Sequence, residues 1–302
     1  MSPSPATVRD NGKELYEAND YAGAETVFRS GHQSWPHRLD MTIWLARSLD
    51  QLGQHDERQA LLDPVVMNLD VDGLPPWGRR ALGEQGYMIH RGVRLCLNHP
   101  VISPWMRGRM LKGDYEEFEA DMLASTIEAG DRILEVGGGL GFMAAFASLQ
   151  APDVTSVVYE ANPGLVPVAE QTKRLSQVDF DFRNAMLGGA AGTAQFHVHE
   201  AFWASSAGHQ SDDSTEIQVV VHDVNAVLAE QTFTMLVMDI EGGEIDLIPG
   251  MDLQTVTRIV IETHPAVSGE RAVRKMLRGL NRQFGFTTKQ HHDDVYLLVR
   301  DR

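Results

Sequence analysis

"LEVGGGLGFMAA", residues 134–145, passes from an apolar run through four glycines into a helix-forming Phe-Met-Ala-Ala. The order reads as a strand, a turn and the start of a helix. Glycine lets such a turn take positive φ and bring its backbone close to a ligand. Spacing then discriminates between cofactor classes, because a dinucleotide loop needs Gly-x-Gly-x-x-Gly. Counted from Gly137 and Gly139, the third position is Phe142; counted from Gly138, the second is Leu140. Both registers fail. What stands is Gly137-x-Gly139-x-Gly141, with Glu135 ahead of it.

The segments around this loop set the fold class. From Asp131 onward, short runs rich in Val, Ile and Leu ("RILEVGG", "TSVVYEAN", "FTMLVMDI", "RIVIETH", "VYLLVR") alternate with helix-length segments. Such runs imply a mostly parallel sheet covered on both faces. The expected architecture is a doubly wound α/β domain that binds ligands at the carboxyl ends of its strands. The first hundred residues differ. "GKELYEANDYAGAETVFRSG" (12–31) and "IWLARSLDQLGQHDERQALLDPVV" (43–66) each read as two helices around a tight turn. Their turns, at Tyr21 and His55, lie 34 residues apart, the tetratricopeptide period. "DGLPPWG" (72–78) breaks the chain, and another helical stretch is expected to about Asn98. The expected domains are therefore a smaller, all-α, tetratricopeptide-like region at 1–98 and an α/β domain at 99–302.

Composition excludes several classes. Hydrophobic residues make up 43% and charged residues 23%, as in soluble globular proteins. No apolar run approaches the length of a membrane span, so no membrane partner is expected. The N-terminal stretch lacks the basic-then-apolar pattern of a signal peptide. The single cysteine, Cys96, forms neither an internal disulfide nor a Cys-x-x-Cys zinc pattern. A cytoplasmic protein is the expectation. A net charge of −16 argues against nucleic acid as a partner, and the basic "RAVRKMLRGLNR" (271–282) reads as the solvated face of a helix.

A Gly-x-Gly-x-Gly loop behind an acid is the pattern of S-adenosylmethionine (SAM) methyltransferases, where it passes under the methionine and ribose; a plain structural turn is the alternative. "SVVYEANP" (156–163) adds Glu160, 25 residues after Glu135, at the tip of the second strand. A carboxylate there accepts both hydrogen bonds of a ribose diol, unless it instead caps the following helix. The third strand, "FDFRNAMLGG" (180–189), puts Asn184 and Ala185 where an adenine is held, although Asn before a turn is common on other grounds.

With these motifs in order, the chain resembles the FkbM family of SAM-dependent methyltransferases over about residues 100–302. The resemblance rests on "KGDYEEFEADML" (112–123), "ILEVGGGLGFMA", "VVYEANP", "RNAMLGGAAGTAQFHVHE" (183–200), "VVVHDVNAVL" (219–228), "LVMDIEGGEIDLIPGM" (236–251) and "IVIETHP" (259–265). Asp-Ile-Glu-Gly-x-Glu followed by an Ile-Glu-x-His strand is its most specific mark. It implies a Rossmann-like class I methyltransferase fold with a seven-stranded sheet and SAM as donor. The implied acceptor is a hydroxyl oxygen of a sugar, polyketide or other secondary metabolite. It also makes Tyr115 and Glu119 candidate SAM contacts. Three positions depart from the family pattern: Ala161 in place of Pro, Val237 in place of Lys, and a first loop that is not Asp-x-Gly-x-x-Gly. The missing Lys removes any role assigned to that position.

"MDIEGGEIDLI" (238–248) carries four carboxylates. Methyl transfer to an alcohol needs positioning and a base for the departing proton. Asp239, ending the fourth strand, is the first candidate to face donor or acceptor, and Glu241 the second. Glu244 and Asp246 fit the first turn of a helix, where carboxylates are favoured. His264 closes the fifth strand and is a candidate base, with a merely hydrogen-bonded strand-end histidine as the alternative; Glu262 shares its face. Carboxylates beside histidines suit a divalent metal, yet nothing in the sequence fixes such a geometry, and no metal is expected. The pair His197 and His199 reads as incidental. The N-terminal helices are expected to serve substrate or protein contact, or oligomerisation. N-methylation, a carrier- or protein-bound substrate, and a non-catalytic interaction module are the competing readings.

Overall fold

The computed structural model describes residues 4–36, 38–54, 87–96, 99–103, 115–199 and 214–300, with residues 57, 58, 61, 106 and 110. The chain forms two compact units, residues 1–115 and 116–302, where the sequence suggested a division after residue 98.

In the first unit, α1 (Pro5–Glu17), α2 (Tyr21–Ser34) and α3 (Leu39–Gln51) pack together. Ser4 caps α1 by accepting the Thr7 N–H, and proline occupies its first turn. Asn19 takes φ 63° at the reversal, and Asp20 caps α2 by accepting from Gly23 N at 2.9 Å. Ala24, Phe28, Met41, Leu45 and Leu49 are buried between the helices, each large side chain contributing about 1.5–3 kcal/mol. The α1–α2 turn falls at residues 18–20, beside the turn expected at Tyr21. The second turn, at His55, and the 72–78 break lie outside the described residues.

The described part of the stretch expected to be helical up to Asn98 is not helical. Residues 87–96 form an antiparallel hairpin, β1 (Tyr87–His90) and β2 (Val93–Cys96). Arg91 and Gly92 sit between them at φ 49° and 91°. Two successive positive-φ residues form the turn that matches the twist of paired strands, and this local geometry overrides helical spacing.

The second unit contains a seven-stranded sheet. Its strands are β3 (Arg132–Val136), β4 (Thr155–Tyr159), β5 (Asp181–Arg183), β9 (Met235–Met238), β10 (Arg258–Glu262), β11 (Thr287–His292) and β12 (Val295–Val299), in the order β11-β12-β10-β9-β3-β4-β5. Only β12 runs against its neighbours. Helices α4 (Glu117–Ala124), α5 (Phe142–Gln150), α6 (Val166–Ser176), α7 (Val224–Glu230), α8 (Glu244–Leu247), α9 (Pro265–Ser268) and α10 (Glu270–Phe284) connect or flank the strands. A second sheet, β6-β8-β7 (Met186–Gly188, Ser214–Asp223, Gly192–His199), places His197 opposite Glu216 and His199 opposite Ser214. In the main sheet β9 is buried at every position, as a strand covered on both faces must be. Its core is shared by Leu134, Leu236, Ile259 and Ile261 with Met276 and Leu280 of α10. The basic residues of α10 fall between these buried positions.

The order reverses direction beside β3. From there β4 and β5 extend one way and β9 and β10 the other, so a crevice opens at the carboxyl ends of β3 and β9. At the opposite end of the sheet, Arg258 is buried and ion-paired with Asp131 at 2.5 Å. Asp131 also accepts from Glu128 N and Thr234 Oγ1, each at 2.7 Å.

Candidate functional site

The glycine loop and the acidic motif meet at the crevice. Asp239 N donates to Val136 O at 3.0 Å, and Gly137 N donates to Tyr159 O at 2.9 Å. Gly137 has φ 90°, and a Cβ there would stand 1.6 Å from the carbonyl oxygen of Asp239. Only glycine fits, since both its conformation and its neighbour exclude a side chain. Gly139 and Gly141 also take positive φ, 49° and 73°, and Gly141 starts α5.

Two carboxyls brace the loop. Glu160 accepts from Gly139 N at 2.9 Å through Oε2 and from Asn162 N at 2.7 Å through Oε1. Burial pushes it up to about 6 despite these amides. Glu135 is fully buried under the loop, hydrogen bonded to the Ala144 amide in the first turn of α5. Burial and the neighbouring Glu160 push it up to about 8, and its Oε2 has no hydrogen-bond partner among the described residues. Asn184 donates to the carbonyls of Glu160 and Ala161, at 2.8 and 3.2 Å. It ties the end of β5 to the tip of β4. Ala185 is buried in the core. Tyr115 is the last residue of the first unit, where its carbonyl accepts from His90 Nε2 at 2.8 Å.

The acidic motif turns sharply after β9. Glu241 takes φ 54° and Gly242 φ 103°, the former a left-handed conformation that non-glycine residues seldom adopt. Glu244 closes this turn: its Oε1 accepts from Ile240 N at 3.0 Å and Gly242 N at 3.2 Å. The same oxygen takes His264 Nδ1 at 3.1 Å. Glu244 thus begins α8, as its position implied, and also orients a histidine, which nothing local in the sequence shows. Asp246 is exposed on α8.

His264 occupies the N-cap position of α9, two residues past the end of β10, with its side chain free of any capping role. Its Nε2 lies 3.3 Å from Glu241 Oε2 and 3.6 Å from Asp239 Oδ1. Asp239, Glu241 and His264, named separately as catalytic candidates, therefore face one another. Glu119 and Glu262 join this group, their carboxyls hydrogen bonded together. Burial, reinforced by the Glu241 charge, pushes Asp239 up to about 8, and burial pushes Glu241 up to about 7. Burial and the charges of Asp239 and Glu119 push Glu262 up to about 9. Burial opposes a charge on His264, but the Glu244 hydrogen bond and the surrounding carboxylates outweigh it and raise it to about 9. For Glu244 the cost of burial is outweighed by His264 and the turn amides, and its pKa is lowered. Five carboxyls surround one imidazole, so protons are shared among them.

The sheet order is that of the Rossmann-like methyltransferase fold. The model of the FkbM methyltransferase domain matches residues 145–298, half of the chain, and the chain belongs to that family. The match begins within α5, just past the glycine loop. No curated protein matches. Similar solved structures include an uncharacterized protein from Listeria monocytogenes serotype 4b (14% identity, 60% of this chain and 66% of that one, TM-score 0.36). A putative transferase from Pyrococcus horikoshii (10%, 74% and 73%, 0.39) is another. A third is a ribosomal protein L11 methylase from Lactobacillus delbrueckii subsp. bulgaricus (12%, 63% and 79%, 0.39). The chain spans just under two thirds of the Listeria protein. These overlaps are loose, and the assignment rests on the family match and the sheet order.

The family implies SAM, and the residues present fit it. The loop is open glycine backbone at the crevice. Glu160 accepts Gly139 N on one oxygen and Asn162 N on the other, with the Ala161 amide as a third partner, and a carboxylate's lone-pair sites still leave room to accept from a ribose hydroxyl.

Proposed function

We propose that this methyltransferase moves a methyl group from SAM to a hydroxyl oxygen of a small molecule, a sugar, polyketide or similar metabolite, in the cytoplasm. The seam between Gly137 and the Asp239 carbonyl carries this reading, because it joins the donor loop to the acidic motif. When bound, SAM supplies an electrophilic methyl on a sulfonium. Glu160 would hold the ribose diol, and the Gly137–Gly141 backbone would approach the donor closely. Asp239 receives the hydroxyl proton at Oδ2, on the open side of its carboxylate. Oδ1 is closed off from solvent, although the side chain as a whole is 37% exposed. A base of raised pKa matches the proton of an alcohol better than an ordinary carboxylate does. The His264 ring stands beside Asp239 and Glu241, and Glu244 holds that ring through Nδ1.

Label transfer from methyl-labelled SAM to a panel of sugar and polyketide alcohols and matched amines tests the reading. Labelled ethers support it. Transfer to amines alone, or only to a carrier-bound substrate, replaces it. Absence of SAM and S-adenosylhomocysteine binding by calorimetry removes it.

A further inference from the structure

We propose that Asp239, Glu241 and His264 form a divalent-cation site that holds the acceptor through its oxygens, a refinement that rests on the transferase reading above. The sequence led us to expect no metal, and the geometry points the other way. One ligand atom from each of the three residues lies within 4.8 Å of the others. Two donors about 2.1 Å from one ion, at octahedral or tetrahedral angles, stand about 3.0–3.4 Å apart. The Nε2 separations of 3.3 Å and 3.6 Å fall at or just beyond that range.

Three further observations point to a ligand. Asp239 Oδ1 is shut off from solvent and has no hydrogen-bond donor among the described residues, yet it lies beside Nε2. The hydrogen bond of His264 among the described residues is made by Nδ1, which donates to Glu244. Nε2 is the ring nitrogen that faces both carboxylates, so an ion bound there would take the place of its proton. Glu244 is itself 1% exposed and held by two turn amides. A carboxylate fixing the far nitrogen of a histidine is the usual support of a metal-bound imidazole. Finally, Glu119 and Glu262 border the triad, so the cluster has an excess of carboxylates over positive charge.

Two carboxylates and one imidazole suit a first-row dication such as Mn2+. Three protein ligands leave positions for two oxygens of one acceptor, so a vicinal diol or an α-hydroxy carbonyl is the acceptor class. There the ion would acidify the hydroxyl that loses its proton to Asp239.

Mn2+ binding to the full-length protein, read by the electron paramagnetic resonance signal of free Mn2+ without SAM, tests this. One site per chain is expected, lost in Asp239→Asn and His264→Ala and unchanged in Asp246→Asn on neighbouring α8. Glu244→Gln, which removes no ligand, should weaken binding by about 10–100-fold. If either ligand variant unfolds, Glu241→Gln and the rise in melting temperature of the unaltered protein with Mn2+ give the same readout. No saturable site overturns the proposal, as does binding that persists in every ligand variant. SAM calorimetry on the same samples separates the two ideas. Mn2+ binding without SAM binding rejects the transferase reading and keeps the cation site; SAM binding without Mn2+ binding does the reverse.

Discussion

The two ends of β10 carry opposite electrostatics. At its start Arg258 is enclosed by Asp131, by the Thr126 carbonyl at 2.6 Å and by Glu128 at 3.5 Å. Charges there are matched and hydrogen bonds satisfied. Past its far end His264 stands among Asp239, Glu241 and Glu244, with Glu262 and Glu119 close by. The first arrangement ties the start of β10 to the residue before β3, across the intervening β9. The second strains the folded state by confining like charges, and such arrangements cluster where chemistry is done. The same sheet therefore separates a structural end from a chemical end.

Two variants probe that separation. Asp239→Asn should lower methyl transfer by about 10²–10⁴-fold with little change in melting temperature; label transfer and thermal unfolding measure both, and unimpaired turnover would remove Asp239 from the chemistry. Arg258→Met should do the opposite. It leaves Asp131 buried without its cation, at about 3–5 kcal/mol, seen as a lower urea midpoint. Turnover per folded molecule should stay near its original value, and a comparable loss of turnover would mean that the two ends are not independent.

The smallest effect concerns Glu135. Its folded pKa, about 8, lies above the ordinary 4.5, so the folded chain keeps a proton that the unfolded chain releases. That contribution is complete below about pH 4.5 and is lost as pH rises through about 8. Glu135→Gln should flatten the fall in stability across this window, a slope on the order of 1.4 kcal/mol per unit of pH. Urea midpoints at a series of pH values check the slope, and an unchanged slope would show that Glu135 is ionised throughout.

Most strands of the main sheet were legible because buried parallel strands are written as continuous apolar runs. The glycine loop was legible because positive φ leaves few other residues. The hairpin at 87–96 was missed although Arg91-Gly92, between two short apolar segments, is a turn signal; helical spacing on either side was given more weight. The meeting of Asp239, Glu241 and His264 depends on β9 and β10 being neighbours, which strand order supplies and local pattern does not. The hydrogen bond from Glu244 to His264 spans 20 positions, beyond any periodicity. Glu119 and Glu262 were visible as residues on helix and strand faces, and their approach to each other was not.

The two amides on Glu160 have a kinetic meaning. A glutamate anchored through both oxygens has already lost its rotameric freedom, up to about 1.5–2 kcal/mol, when the chain folds. A diol thus encounters a rigid receptor rather than a side chain that must first find its pose. Selection between a ribose and a sugar lacking one hydroxyl then falls mainly on how long the ligand stays, in the dissociation rate.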